Sequence, residues 1–534
     1  MTEGRLKFWG WGWEGEGATD AEVAHLKRTY GAALGIDSFP DGPPPREDEF
    51  DLPAPRLSPP PALEAICARD PHTRLVHAMG KSLPDAVRMF DRQTPHVPDI
   101  VAFPETEEQV LAVMDWAADA GAALIPFGGG SSVVGGVEPK VDDGYAAAIT
   151  LSTVRMTGVA EVDRTSRAAR IRGGTRVPDL EAALKPHGLT LRHFPQSFPM
   201  ATVGGMIATR SGGHFAMLYT HIDDFVESLR TVTPAGVMES RRLPGSGAGP
   251  SPDRFVIGSE GSVGVITEAW LRLQDKPVHR ANAAAAFDDF HAAAEAVRAV
   301  AQSGLNPANC RLVDGEECRI NGVSEDGRHL LVLGFESAHA DVAPAMARAR
   351  ELVQDHGGQV DDSGHAEGAV GRWRTAFIRM PYFREVITPW GVLNDTFETS
   401  ITWDRFPDFH RNVMAATQRA IRAATGRDGI VTCRFTHVYP DGPAPYFTLH
   451  CKGDRARMME QWTVIKQAAS DAVIDNGGTI THHHAVGRDH QPWYERQRPD
   501  LFGAAYDAAK RALDPAGIMN PGVIVRCEFT APPK

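Results

Sequence analysis

Long uninterrupted hydrophobic runs are missing from this 534-residue chain. No stretch of eighteen or more apolar residues occurs, so the sequence predicts no membrane-spanning helix. A basic excess is missing too. With 55 Lys and Arg against 68 Asp and Glu the formal net charge is -13, and no nucleic acid is expected as a partner, because a phosphate backbone calls for a basic face. An anionic small molecule is not excluded, since it needs only a few local cations. Paired cysteines are also missing. Cys67, Cys310, Cys318, Cys433, Cys451 and Cys527 are scattered without a CxxC, which points to a reduced, cytoplasmic protein. Met1 to Arg5 does not lead into a secretory segment and the final APPK is not a peroxisomal address, in keeping with that expectation.

What the chain does have is glycine in unusual places. After Ala123, Leu124 and Ile125, which read as a short buried strand, comes PFGGGSSVVGG, Pro126 to Gly136. Glycines without Cβ let successive backbone N–H groups turn toward one point, and such a nest binds phosphate or pyrophosphate. A flexible surface loop is the bland alternative for an isolated run. Two further stretches lower it: SFPMATVGGMIATRSGG, Ser197 to Gly213, and IGSEGSVGVI, Ile257 to Ile266. Both combine small residues with Ser or Thr, as expected where backbone approaches a ligand.

At 534 residues two or three domains are expected. Residues 1–97 read as an N-terminal appendage and linker. In KFWGWGWEGEG the rings of Phe8, Trp9, Trp11 and Trp13 suit either a membrane surface or a segment tucked into the protein, and the lack of a Lys or Arg cluster favours tucking. Thr19 or Asp20 caps a following helix, and the proline-dense Phe39 to Pro61 is an extended connector. Residues 98–277 form a mixed α+β unit. Thr106 and Gln109 have capping-box spacing, Val110, Val113, Met114 and Ala117 share a helix face, and strands follow at Ala146 to Leu151, Val159 to Val162 and Ala168 to Ile171. This is not the strand, G-x-G-x-x-G, long-helix order of a Rossmann domain. Residues 278–500 alternate helix and strand and predict an antiparallel sheet covered by helices on one face. Residues 501–534 return to the first unit.

The three glycine segments resemble the FAD-binding domain of the vanillyl-alcohol oxidase and p-cresol methylhydroxylase flavoprotein superfamily. Within it the chain resembles the alkyldihydroxyacetonephosphate synthase (alkylglycerone-phosphate synthase) family. The residues that carry this run from KFWGWGWE through CRLVD, MPYFREV, DTFETSITWDRF, CRFTHVYPDGPAPYF and GGTITHHHAVG to LDPAGIMNP. The resemblance implies an α+β fold, a two-subdomain FAD-binding domain plus a cap domain with an antiparallel sheet. It implies an enzyme that exchanges the acyl group of acyl-dihydroxyacetone phosphate for a long-chain fatty alcohol, without net redox, through an adduct at flavin N5. The pyrophosphate would lie on Gly128, Gly129, Gly130, Ser131 and Ser132, next to Pro126. Thr202, Thr209, Arg210, Ser211, Glu260, Gly261, Gly264 and Ile266 would line the rest of the FAD, with Asn520 near it. No His, Cys or Tyr lies within Phe127 to Gly136, so no covalent link to that loop is available and non-covalent FAD is expected. Peripheral contact with the inner face of a membrane and a homodimer are kept open among the partners.

Candidate chemistry sits further along. By motif match Tyr446 is the proton donor or acceptor, Arg384 a substrate-contacting arginine and Arg311 an arginine on which family activity depends; as bare residues they read as a core tyrosine and a solvated helix cation for the first two. His482, His483 and His484 suit proton transfer near neutral pH. If they lie in a strand, His482 and His484 share one face and His483 takes the other. Zinc is the competing reading of such a run, but no third ligand motif accompanies it and no metal is expected. The alternative function is an FAD-dependent dehydrogenase or oxidase of a 2-hydroxy acid or alcohol. Against it stands the absence of HxHxGDGNxH.

Overall fold

Thr106 starts the helix that delivers the chain to the glycine loop. Its hydroxyl accepts the Gln109 amide at 3.3 Å, and Val110, Val113, Met114 and Ala117 form the buried side of Glu107–Asp119. That helix packs beside four strands: β1 (Cys67–Ala68), β2 (Ile100–Ala102), β3 (Ala122–Phe127) and β4 (Ala147–Ser152), in the spatial order β1-β2-β4-β3. β2, β4 and β3 run parallel and are almost wholly buried, which explains why they read as short apolar runs without alternation. The computed structural model describes residues 4–215, 217–361 and 366–525. The sheet takes in β1 from upstream of residue 98, so this unit begins earlier in the chain than the helix-and-glycine pattern suggested.

A second sheet follows from β5 (Val159–Asp163) and β6 (Ala168–Arg172). After the short β7 (Leu189–Thr190) come β8 (Val226–Thr233), β9 (Gly236–Glu239) and β10 (Val265–Arg272), in the order β5-β6-β10-β8-β9, while β11 (Gln274–Asp275) pairs back on β7. The helix Val203–Ala208, capped by Thr202, lies against β10. Gly204 permits this approach, because a Cβ there would stand 3.0 Å from the Ile266 carbonyl oxygen.

The third sheet has seven antiparallel strands: β12 (His279–Phe287), β13 (Asn309–Val313), β14 (His329–Ser337), β15 (Gln359–Val360), β16 (Val392–Glu398), β17 (Ile430–Val438) and β18 (Pro443–Lys452). Their order is β15-β12-β14-β13-β17-β18-β16. Alternation divides its two faces. Leu393 and Phe397, Cys310 and Leu312, Val431, Cys433 and Phe435, and Phe447, Leu449 and Cys451 join one core with the helices Phe290–Gln302, Ala343–Asp355, Phe406–Thr425 and Met458–Asp475. Their neighbours in sequence, Asn394, Thr396 and Glu398, Arg311, Thr432, Arg434 and Thr436, and Tyr446, Thr448 and His450, stand on the opposite, polar face.

The N-terminal aromatics are tucked in. Phe8, Trp11 and Trp13 are buried, and Lys7 Nζ reaches Glu385 at 2.9 Å while the Trp11 amide donates to the same carboxylate at 2.8 Å. Glu385 belongs to the helix Ala366–Ile387, whose Arg379 and Tyr382 also hold Glu22 and Glu16. Phe39 to Pro61 contains one short turn of 3-10 helix, Glu47–Glu49, and is otherwise extended or irregular. At the other end Asn520 donates its amide to the Leu124 carbonyl at 2.9 Å, closing the chain on β3. No described helix is long and apolar enough to cross a membrane.

The Lys7–Glu385 pair yields a stability test. Glu385→Gln strands a buried ammonium, and urea unfolding followed by circular dichroism is expected to show a loss of about 3–5 kcal/mol, with a much smaller loss when Lys7→Met is added. Equal losses in the single and double variants would show that the two charges are not coupled.

Candidate functional site

The glycine loop is built as an anion cradle. Among the described residues no protein acceptor takes the amides of residues 129–132. Gly130 has φ 66°. A Cβ on Gly129 would run into the Met200 carbonyl oxygen, and one on Gly128 into the Thr202 hydroxyl. Side chains are thus excluded from the cradle while its donors stay free, which is what a pyrophosphate requires. Ser132 shapes the far end, its hydroxyl accepting the Gly136 amide at 3.1 Å.

Two chambers extend from this cradle and share Gly128, Ser132, Gly205 and Thr209. The larger, about 190 Å³, is lined by Gly128 to Ser132, Thr202, Thr209, Ser211, Arg311, Tyr446, His483 and His484. The smaller, about 90 Å³, is lined by Pro126, Glu260, Gly261, Gly264 and Ile266. A nest of free amides between two chambers fits a dinucleotide such as FAD, whose pyrophosphate lies between its two ring systems. Glu260 does more than line the wall. Its carboxylate accepts the Val486 amide at 2.8 Å and the Gly487 amide at 2.9 Å, and burial pushes its carboxyl up to about 7 against those bonds.

Two residues expected near FAD face elsewhere. Arg210 donates to Asp223 at 2.8 Å and lines neither chamber. Asn520 is buried behind the wall, where its amide clips the Gly136 carbonyl at 3.0 Å to the Glu260 carbonyl at 2.8 Å. It fixes the loop rather than lining the groove.

The polar face of the third sheet forms the opposite wall. Tyr446 on β18 is buried, with the Arg434 guanidinium 3.8 Å from its ring centroid. Arg434 in turn pairs with Glu317 in the interior. The histidines do not form a strand. Glu398, at the end of β16, accepts the His483 amide at 3.1 Å, the His484 amide at 2.8 Å, the Thr481 hydroxyl at 2.6 Å and also the His482 amide. Three successive N–H groups converging on one carboxylate bend the backbone, so the expected alternation fails. His483 and His484 line the chamber, whereas the His482 ring turns away to the Tyr439 hydroxyl at 2.7 Å.

Burial drives the His483 and His482 rings well below the ordinary histidine range and lowers His484 as well. They are therefore neutral acceptors or donors at neutral pH. Burial pushes the Glu398 carboxyl up, but the His484 and His482 rings, Thr481 and the backbone donors more than offset this and hold it ionised. Burial also raises the Tyr446 phenol, opposed by Arg434, so the phenol keeps its proton.

Several wall residues were not picked out from the sequence. Trp11 reaches the chamber from the N-terminal segment, although only its aromatic company in WGWGWE marked it. Gln196 lines it too, and its side-chain amide donates to the Phe377 carbonyl at 2.6 Å, an acceptor left open because Pro381 has no N–H. His437 on β17 is the third imidazole that the sequence reading lacked. One ring nitrogen from each of His437, His482 and His483 lies within 4.8 Å of the other two, while His437 Nε2 is 2.9 Å from the Gly213 carbonyl oxygen. Arg311 lines the chamber, with its guanidinium 3.4 Å from the His214 carbonyl oxygen, and burial beside Arg434 brings it down to about 9. Arg384 does not line it. Arg384 lies in an adjoining chamber of about 120 Å³, which shares Tyr446 and His484 as its near wall.

Comparison with known proteins agrees with this geometry. The family described as "FAD binding domain" matches residues 98–240, and "FAD linked oxidases, C-terminal domain" matches residues 276–524. The alkyldihydroxyacetonephosphate synthase of Dictyostelium discoideum is 29% identical over 489 residues, covering 85% of this chain and 78% of its own. A solved structure of an alkyldihydroxyacetonephosphate synthase superposes with a TM-score of 0.80 at 23% identity, over 97% of this chain and 98% of the other. A p-cresol methylhydroxylase with substrate bound superposes at 0.68 with 14% identity, over 95% and 98%. The α+β architecture of FAD domain and cap is thus that of the superfamily.

Gly129→Ala is expected to purify folded but with flavin occupancy, read as the visible-to-280 nm absorbance ratio, reduced by roughly tenfold or more, since the new Cβ meets backbone rather than a movable side chain. Unchanged occupancy would remove the loop from the cofactor site. The lowered histidines set a pH expectation as well. Turnover that depends on neutral imidazole stays level as pH falls to 6.5 and declines only below it; a half-maximal rate at pH 6.5 or above would contradict their burial.

Proposed function

Because an FAD binding domain matches residues 98–240, the C-terminal domain of FAD linked oxidases matches residues 276–524, and the chain is similar to alkyldihydroxyacetonephosphate synthases over most of its length, we propose that it is an FAD-dependent alkylglycerone-phosphate synthase. It exchanges the acyl group of acyl-dihydroxyacetone phosphate for a fatty alcohol and leaves an ether bond, with no net redox change. The observation that carries this reading is the wall of Tyr446, His483 and His484 facing a groove that is otherwise shaped for FAD. The cradle 129–132 holds the pyrophosphate by non-covalent contacts, and FAD bound there supplies a nucleophilic ring nitrogen.

Everything else falls to this chain's own groups. The exchange breaks the bond between substrate C1 and the ester oxygen, expels a fatty acid and forms a bond from C1 to the alcohol oxygen. A proton must leave the substrate carbon beside the ketone and be returned to that carbon in the product, while another leaves the incoming alcohol and ends on the released fatty acid. Neutral His483 and His484 accept such protons. The Tyr446 phenol, kept protonated, donates to the departing carboxylate and is reset in the next step. The Tyr446–His484 ring centroids are 5.4 Å apart, and those of Tyr446 and His483 6.0 Å apart, so a proton has a short route among the three. Arg311 places a buried cation on the same wall.

The purified flavoprotein, given palmitoyl-dihydroxyacetone phosphate and labelled hexadecanol, is expected to form labelled ether product and release palmitate. Absence of ether together with bleaching of the flavin by D-lactate or another hydroxy acid would favour a dehydrogenase instead. Tyr446→Phe is expected to retain its flavin and lose about 10²-fold or more in exchange rate. Loss of the flavin in that variant would make the tyrosine a packing residue.

A further inference from the structure

The chamber behind Tyr446 contains more donors than the FAD side requires. We propose that it is the subsite for the phosphate of the substrate, and that Lys81 is the cation that completes it beside Arg384. This rests on the reading of the substrate as a phosphorylated ketone.

Lys81 and Arg384 line the chamber together. They are joined through one peptide group, because the Arg384 guanidinium donates to the Lys81 carbonyl at 2.6 Å. The Arg384 Nε is buried with no partner among the described residues. The Lys81 ammonium gives one proton to the Lys7 carbonyl at 2.9 Å and, among the described residues, has no carboxylate within ion-pair distance. Glu385 is held by the Lys7 ammonium instead, and Asp85 accepts the Ser82 amide at 2.9 Å as a helix cap. Lys81 therefore keeps an unpaired charge and two protons for a ligand. Its amide donates to the Ser132 carbonyl at 2.6 Å, so it is anchored to the glycine cradle.

The far wall is also made of donors. The Thr448 hydroxyl is buried with no partner among the described residues. His450 Nδ1 lies 2.9 Å from the Tyr30 hydroxyl and 2.9 Å from the Asn394 amide nitrogen. An amide nitrogen only donates, so Nδ1 is the acceptor and the ring proton sits on Nε2. Burial brings the ring down to about 4, which keeps that tautomer neutral. The one carboxylate of this wall, Glu317, is taken by Arg434 and by the Thr432 hydroxyl at 3.1 Å. Two cations, a neutral imidazole N–H and a hydroxyl, with no free acid, suit a phosphate monoester dianion better than an uncharged ligand. The shared wall of Tyr446 and His484 then places the attached ketone within reach of the FAD-side chamber.

Calorimetric titration of the full-length flavoprotein with dihydroxyacetone phosphate and with uncharged dihydroxyacetone tests this. The unsubstituted protein is expected to bind the phosphate ester much more tightly. Lys81→Met is expected to weaken that ester by roughly 10- to 100-fold, to leave dihydroxyacetone binding and flavin content unchanged, and to be largely rescued by Lys81→Arg. Thr448→Val, remote from the Lys7 contact, is expected to weaken the ester by a few-fold and so distinguishes a lost donor from a disturbed N-terminal segment. Equal binding of the ester by Lys81→Met, Thr448→Val and the unsubstituted protein would overturn the subsite while leaving the proposed function intact. Failure of the unsubstituted protein to prefer the ester over dihydroxyacetone would overturn both.

Discussion

A single buried carboxylate holds together the chamber wall that carries Tyr446, His483 and His484. Glu398 takes three consecutive backbone N–H groups and a hydroxyl, and without it residues 482–484 would have buried donors unsatisfied. Such groups cost free energy comparable to lost hydrogen bonds, so the turn and the carboxylate are mutually dependent. The turn in turn decides which imidazoles face the chamber. Glu398 is also the residue that pairs with Tyr446 across β16 and β18, so the same strand end positions both the phenol and the histidines.

The protein thus contains two clusters of converging amides that meet opposite fates. Those of 482–484 are satisfied internally by Glu398 and become scaffold. Those of 129–132 have no acceptor among the described residues and remain open to a ligand. The difference is steric as much as electrical. Around Gly128 and Gly129 the backbone of Met200 and the Thr202 side chain close in so tightly that no side chain of the loop can supply the acceptor itself.

Distant parts of the chain complete the chambers. Trp11 comes from the first dozen residues, Tyr30 from the first helix, Gln196 from the FAD side and the remaining wall from the third sheet. The buried Lys7–Glu385 pair fastens the first of these to the helix that carries Arg384. A segment that composition alone marked as an appendage is therefore part of the site, because one buried ammonium found its counter-ion 378 residues away.

Much was legible in the sequence. The glycine loop after a buried strand identified the cradle, since only glycine allows that backbone packing, and the period-2 pattern of CRFTHV, APYFTLHC and VLNDTFE already separates a core face from a polar face. The helix and strand alternation of the later chain likewise announced an antiparallel sheet with helices on one face. The bend at His482 to His484, the withdrawal of Arg210 to Asp223, and the seating of Arg384 and Lys81 in a second chamber did not follow. Each depends on a partner far along the chain, and periodicity reports only which face a residue takes, not which carboxylate or carbonyl will meet it. The sequence by itself determined the cradle, the two-faced sheet and the supply of Tyr446, histidines and arginines. Tertiary structure alone decided which of them share a wall, because satisfying buried charges and amides is a property of contacts between segments and not of any one of them.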